Sequence, residues 1–420
     1  MRFKLVALGL VISVQVAAEG IATDGTIGAA QVLNGTNVLI PQTLGKTAGN
    51  NLFHSFSDFN INTGQTVTFT GNDNLQNVIS RVTGDNKSVI DGILQSKVGN
   101  ADFYFINPNG ITFNSNASVD VPAAFHVTTA DKMDFGKNGG VFYANLSKKS
   151  QLSSDSPVAL GFLVTSKVNN GLIDFNAAQI TLQKAQTMDL VAGNITVENG
   201  ANVKSETGEI RLVAMQEEGT ASLVKTSDGV LPLPEVTPSN SNAGNISIIR
   251  SYADTTGDAH GLIDIWGNNI LLNESSLNAD TYSSADAIGN IIVHANMLEI
   301  INNSYISNSQ FTKSVDTHKK SALEAGYYWD ELHSLNLDLH GTTLVSTIYN
   351  QNLNKVQSSI TAKSVEVNQS TITSNSPNGI NIFTQTLNLL NGGEISSSSG
   401  ASLDISKTNN LSGIIANGSV

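Results

Sequence analysis

His54, Ser55, Ser57 and Asp58 fall within five positions and are the residue types of a nucleophilic triad. No Gly-x-Ser-x-Gly elbow accompanies them, and Phe53, Phe56 and Phe59 interleave them, so the segment reads as packing. His260-Gly261 and His340-Gly341 would suit acid–base steps in polysaccharide cleavage. That chemistry also needs clustered aspartates and a basic pair for a uronate, and the chain has no Asp-Asp dipeptide. Glu217-Glu218 has no assignable partner carboxylate and reads as solvated. With no cysteine, thiolate nucleophiles, disulfides and zinc–thiolate sites are excluded. No Walker loop, nonapeptide calcium repeat or His-x-x-x-His pair occurs. No catalytic residue, metal site or cofactor is therefore assigned.

The elements that would carry such residues are β-strands. The 420 residues are 40% hydrophobic but only 14% charged, well below the ~25% of an average soluble domain. Polarity comes instead from Ser, Thr, 36 glycines and 48 asparagines, residues that suit turns and are poor in helix interiors. The net charge is −13, and becomes −15 once Arg2 and Lys4 are removed with the first segment. Only Arg81, Arg211 and Arg250 remain as arginines, so a nucleic-acid footprint is absent.

Arg2 and Lys4 precede an apolar run at 5–14, too short for the ~20 residues of a spanning helix. Val16-Ala17-Ala18 offers the small residues a signal peptidase reads, and cleavage is expected between Ala18 and Glu19. No other stretch approaches transmembrane length, so the mature chain has no integral membrane segment. From Val32 onward, short β-rich runs alternate with Asn, Gly, Ser and Asp. Asn269-Ile270-Leu271-Leu272-Asn273 leads to Ser275-Ser276-Leu277, and about 29 residues later Leu298-Glu299-Ile300-Ile301-Asn302 leads to Ser304-Tyr305-Ile306. The pattern returns at Val365 and Leu387. A related third strand is read at Gly193–Val197, Gly244–Ile248 and Gly289–Val293. Three short strands per period of 22–29 residues predict a parallel β-helix, with stacked Asn joining one coil to the next.

Two segments break this rhythm. Residues 217–242 hold Pro232, Pro234 and Pro238, and read as an extra-helical hairpin pairing 221–224 with 230–233 around Ser227-Asp228-Gly229. A helical insertion near 311–342 gathers Tyr327, Tyr328 and Trp329 beside Lys319, Lys320, Asp330 and Glu331. Trp and Tyr dominate interface hot spots, which makes this insertion the candidate binding element.

Asn107-Pro108-Asn109-Gly110 reads as a type I turn: Pro108 presets φ, Asn107 caps, and Gly110 takes the fourth position before Ile111. This motif, Asn51-Leu52-Phe53-His54-Ser55-Phe56 with Phe59, and Asn77-Val78-Ile79-Ser80-Arg81 lie in an order and spacing that resemble the secretion domain of filamentous-haemagglutinin-like exoproteins. These are the passengers of two-partner secretion (TPS). Asn50-Asn51-Leu52-Phe53-His54 stands where some members carry a second Asn-Pro-Asn, so the first subgroup's recognition details do not transfer.

The resemblance implies an all-β, right-handed parallel β-helix, export through the periplasm of a Gram-negative bacterium, and passage through a TpsB-type outer-membrane transporter barrel. It implies that Asn51, Leu52, Phe53, His54, Phe56, Phe59, Arg81 and Asn107 to Ile111 serve secretion or transporter recognition. The expected organisation is a signal peptide at 1–18, a secretion domain at 19–250 and a continuing β-helix at 251–420. The expected function is a secreted, extracellular or surface-associated adhesin that binds a receptor or glycan and is not an enzyme. The alternatives are a β-helical polysaccharide-degrading enzyme, or a haem-scavenging or toxin-type passenger.

Overall fold

The computed structural model describes residues 20–163, 171–226, 231–236, 243–259, 261–282, 289–308, 359–374, 380–397, 403–406 and 411–412. Its strands stack into a parallel β-helix with three faces. On the first face, Asn51–Phe59, Asn77–Val82, Asp102–Ile106, Phe125–Thr128, Thr187–Ala192, Glu209–Ala214 and Leu262–Trp266 pair in succession. The second face runs from Ser88–Ile90 through Ile111–Phe113, Leu172–Asn176, Asn194–Glu198 and Ile246–Ile249 to Asn269–Asn273. The long strands Asn290–Ile301, Ser359–Asn368 and Ile380–Leu390 each serve both faces. The third face begins at Asn37–Pro41 and Thr66–Thr70 and later includes Tyr252–Asp254 and Ser276–Asn278.

Alternation decides what lies inside. Thr66–Thr70 and Asn269–Asn273 bury every second residue, as a strand with one wet face must. The inner column is aromatic near the start, where Phe69 meets Phe103 at 4.8 Å and Phe113 stacks on Phe175 at 4.7 Å. It is aliphatic later, at Ile248, Ile265, Leu272 and Val367. Burying each such side chain contributes about 1.5–3 kcal/mol.

The corner between the second and third faces explains part of the asparagine excess. Asn199, Arg250, Glu274, Asn302, Gln369 and Asn391 all have positive φ there, between 49° and 60°. Asn tolerates this region better than most residues. Side-chain amides also bond along the stack: Asn199 donates to Asn176 at 3.0 Å, Asn302 to Asn273 at 2.9 Å and Asn391 to Asn368 at 3.0 Å. Next to them, the Ser275 and Ser304 hydroxyls accept from the backbone N–H of Ser251 and Ser275 at 3.2 and 3.0 Å.

Two details differ from the sequence reading. The strand at Asn269 lies opposite Met297, 28 residues on rather than 29, because the extra residue sits in the corner, where both Asn302 and Asn303 take positive φ. The proposed third strand is not one family. Asn194–Glu198 and Ile246–Ile249 share the second face, whereas Asn290 opposes Leu262 on the first.

Outside the coil, Lys132–Asp134, Val141–Tyr143, Ala159–Phe162, Gly219–Ser222 and Glu235–Val236 form an antiparallel roof. Its two contributing excursions leave the coil after Phe125–Thr128 and after Glu209–Ala214, at the same corner. The expected hairpin is therefore part of a larger sheet, and its strands are Gly219–Ser222 and Glu235–Val236. Pro232 and Pro234 lack N–H donors, which pushes pairing beyond 231–234. The roof buries Met133, Phe142, Leu160 and Phe162 against Phe53, Ile79, Tyr104 and Val213, the outward residues of the first face. The first rung is covered by antiparallel strands Ile21–Thr23 and Lys46–Ala48, which removes an open edge. The cleavage site Ala18/Glu19 and the insertion with Tyr327, Tyr328 and Trp329 lie outside the described residues. Among the described residues the one helical element is the 3-10 turn Gln42–Leu44.

Asn302→Ala is expected to lower unfolding free energy by about 1–2 kcal/mol, from left-handed strain and the lost amide bond. Asn302→Gly should cost less, because it loses the bond alone. Denaturant midpoints of the two variants check this.

Candidate functional site

Strand Asn51–Phe59 sends its residues to two cores. Leu52, Phe56 and Phe59 enter the coil and Phe53 enters the roof. A bulge facing Ala22/Thr23 lets both Phe56 and Phe59 point inward although they are three apart. Asn51 donates to the backbone carbonyls of Ser153 and Asp155 at 2.9 and 2.7 Å, and accepts from Asn77 at 2.8 Å. It thus ties the first two rungs to the segment between roof strands.

His54 is fully buried beside Phe56 and Phe69, its ring 5.3 Å from that of Phe69. Among the described residues, neither ring nitrogen has a side-chain partner. Ser55 points the other way, to Asp24 at 2.5 Å, while Ser57 donates to the Ala22 carbonyl and Asp58 accepts from Asn86. The triad geometry is absent because strand alternation places His54 and Ser55 on opposite sides.

Arg81 anchors three elements. Its guanidinium donates to Ser55 at 2.8 Å, to Ser150 at 2.8 Å, to Thr26 at 3.0 Å and to the Tyr143 carbonyl, and lies 4.3 Å over the Phe142 ring. Burial lowers its pKa to about 10, with Asp24 opposing the shift. Burial would raise Asp24, but bonds from Ser55, Thr26 and Thr83 outweigh it and hold the carboxyl below its ordinary range. Cap, coil and roof meet at this pair. Sequence reasoning missed Asp24, whose partners Ser55 and Thr83 are 31 and 59 residues away.

Asn107 and Gly110 are buried, Pro108 is half-buried and Asn109 is exposed. The Gly110 N–H donates to the Asn107 carbonyl at 3.1 Å and the Asn109 N–H to the Asn107 side chain at 3.0 Å. Gly110 has φ +115°, and a Cβ there would lie 3.0 Å from the Leu172 carbonyl oxygen, so glycine is required. The Asn107 amide donates to the Asn86 carbonyl at 3.1 Å and to Ser88 at 3.0 Å, and the Asn109 amide to the Gly84 carbonyl at 2.7 Å. Since Asn86 also donates to Asp58 at 2.7 Å, the end of strand Asn51–Phe59 and the corners after the next two first-face strands form one hydrogen-bonded line. Ile111 follows, buried at the start of Ile111–Phe113. Among the described residues, no group of three or more His, Asp or Glu could hold a metal ion, and no helix is long and apolar enough to cross a membrane.

His54 supplies a pH test. Burial drives its pKa down to about 4, with the Leu44 carbonyl opposing. Between pH 6.5 and 4 the unfolded chain therefore binds a proton that the folded chain refuses. Stability should fall with acidification across that window by up to about 1.4 kcal/mol per pH unit more in wild type than in His54→Leu. Denaturant titrations at several pH values check the difference.

The family pattern of the TPS secretion domain matches residues 19–268. Among solved structures, the HMW1 secretion domain from Haemophilus influenzae is 18% identical, with 92% of this chain and 84% of that one covered and a TM-score of 0.47. The filamentous hemagglutinin secretion domain is 13% identical, with 92% and 99% covered and a TM-score of 0.41. No curated protein matches the chain. Because the family match spans more than half of its length, this β-helical chain belongs to the TPS secretion domain family, and so to the exoproteins of two-partner secretion.

Proposed function

We propose that the chain is a non-enzymatic passenger whose secretion domain is read by a TpsB-type outer-membrane barrel, and whose β-helix serves as an adhesin for a surface receptor or glycan. The observation that carries the recognition half is the corner line Asp58–Asn86–Asn107–Asn109. The buried motif residues build the turn, and Asn109 is the one side chain of Asn107 to Gly110 left exposed to a partner. The adhesive half rests on the resemblance to filamentous-haemagglutinin-like exoproteins. Release to the outside or retention at the outer-membrane surface belongs to the same reading.

Co-expression with the cognate barrel tests export. Deleting 19–135 should abolish secretion, and secretion that persisted would overturn the proposal. Asn107→Ala should lower both melting temperature and export, because it removes bonds to Asn86 and Ser88. Pro108→Ala should do so more weakly. Asn109→Ala is expected to melt within a few degrees of wild type yet export poorly. Normal export of Asn109→Ala would remove the corner from the recognition surface. Adhesion of the secreted chain to cells or matrix, against a secreted 19–268 fragment, tests the second half.

A further inference from the structure

On the outward side of the first face, Tyr104, His126, Asp189, Arg211 and Asp264 occupy directly opposed positions on successive strands. Rungs ~4.8 Å apart make this a continuous column. The Tyr104 and His126 rings stack at 4.2 Å, 4° from parallel. His126 Nδ1 lies 3.2 Å from Asp189 Oδ2, and Arg211 Nη1 lies 3.5 Å from Asp189 Oδ1. The same Arg211 nitrogen donates to the Ser222 carbonyl of the roof at 2.8 Å. Beside it, Glu209 pairs with Lys225, just past that roof strand. The column is thus the polar seam by which the roof's second excursion grips the coil.

The seam carries an imbalance. Among the described residues, Asp189, Glu209 and Asp264 face only Arg211 and Lys225 as permanent cations. Asp189 Oδ1, Glu209 Oε1 and Arg211 Nε, all buried, have no hydrogen-bond partner. Leaving such groups uncompensated away from water is costly. The carboxylate that can relieve the imbalance is half-buried Asp264, at the end of the column, with apolar Ile292 opposite it on the next rung.

We propose that Asp264 is the proton switch of a latch: protonated, it leaves the seam balanced and the roof closed on the first face, and ionised, it loosens the grip of Gly219–Ser222 and the strand paired with it.

The sign follows from the titration. Burial raises Asp264 from 3.8 to about 7, with Arg211 and Lys225 opposing and Glu209 and Asp189 adding. Burial would raise Asp189 too, but Arg211 and His126 outweigh it and keep that carboxyl low, so it stays ionised across the range. Between pH 4 and 7 the closed seam holds a proton that a lifted seam releases. Closure is therefore tightest at the acid end, weakens as pH rises to about 7 and levels above it. One proton allows the opening constant to rise at most tenfold per pH unit.

Hydrogen exchange of the full chain at pH 5 to 8, corrected for intrinsic exchange rates, reads this constant in Ala159–Phe162 and Gly219–Ser222. Wild type should open more with each pH unit up to about 7 and then level. Asp264→Asn should be flat. Lys225→Gln, which removes a cation from the seam, should move the bend upward and gives a second reading if Asp264→Asn folds poorly. Second-face strand Asn194–Glu198, away from the seam, should show no bend. A flat wild-type profile, or the same bend in Asp264→Asn, would overturn the latch. His54 titrates with the opposite sign but sits in the coil interior, so the difference between wild type and Asp264→Asn cancels it.

Discussion

Every rung of a parallel β-helix is hydrogen-bonded to the rung before and after it, so no rung is stable alone and the first needs a substitute neighbour. Strands Ile21–Thr23 and Lys46–Ala48 supply that substitute antiparallel to Asn51–Phe59. Arg81 then locks the cap by bonding Thr26 and Ser55 together. The dependence propagates: Asn51 bonds Asn77, and Asn86 links Asp58 to Asn107. Residues that carry the family resemblance are therefore concentrated where stacking begins. A fault there has no earlier rung to correct it.

On the proposed reading of the corner, the same constraint ties recognition to folding in the secretion domain. Phe53, Phe56 and Phe59 are core residues, Asn107 and Gly110 hold a corner, and Arg81 holds the roof. A partner that probes the exposed remainder, such as Asn109, reads a surface whose position depends on every buried member of the line. Selection for a recognised corner is then selection for a folded start.

Much of the coil was legible in the sequence because alternation is local. Thr68 and Glu299 declare their faces by their apolar neighbours, and the Asn corners by their spacing. The corner at Asn107 was legible because Pro108 and Gly110 state their backbone angles outright. The roof was not, since its strands are short and pair across gaps such as Ala159 to Ser222 that no periodicity reports. The structure shows what periodicity left out: Asn77–Val82 and Glu209–Ala214 are buried throughout, which a strand with one wet face cannot be. The arginines inside those runs, Arg81 and Arg211, mark where a second layer must supply partners. His126 passed unnoticed because its partner Asp189 is 63 residues away.

The two arginine clamps differ in how far along the chain they reach. Arg81 takes partners 62 and 69 residues later, at Tyr143 and Ser150, whereas Arg211 and Glu209 find Ser222 and Lys225 within 11 and 16 residues. Shorter loops lose less entropy on closure, so the second excursion can fold against its own rung as soon as that rung exists. The first excursion closes a short loop of its own, pairing Lys132 with Tyr143, but its strand Ala159–Phe162 gains its second neighbour only when Gly219–Ser222 arrives. The roof is consequently completed from its later half. That half is held by ionisable groups facing one carboxylate too many, so its grip weakens as pH rises, whereas the Arg81 clamp faces a single carboxylate, Asp24, kept ionised by its hydroxyl partners, so its grip weakens only in acid.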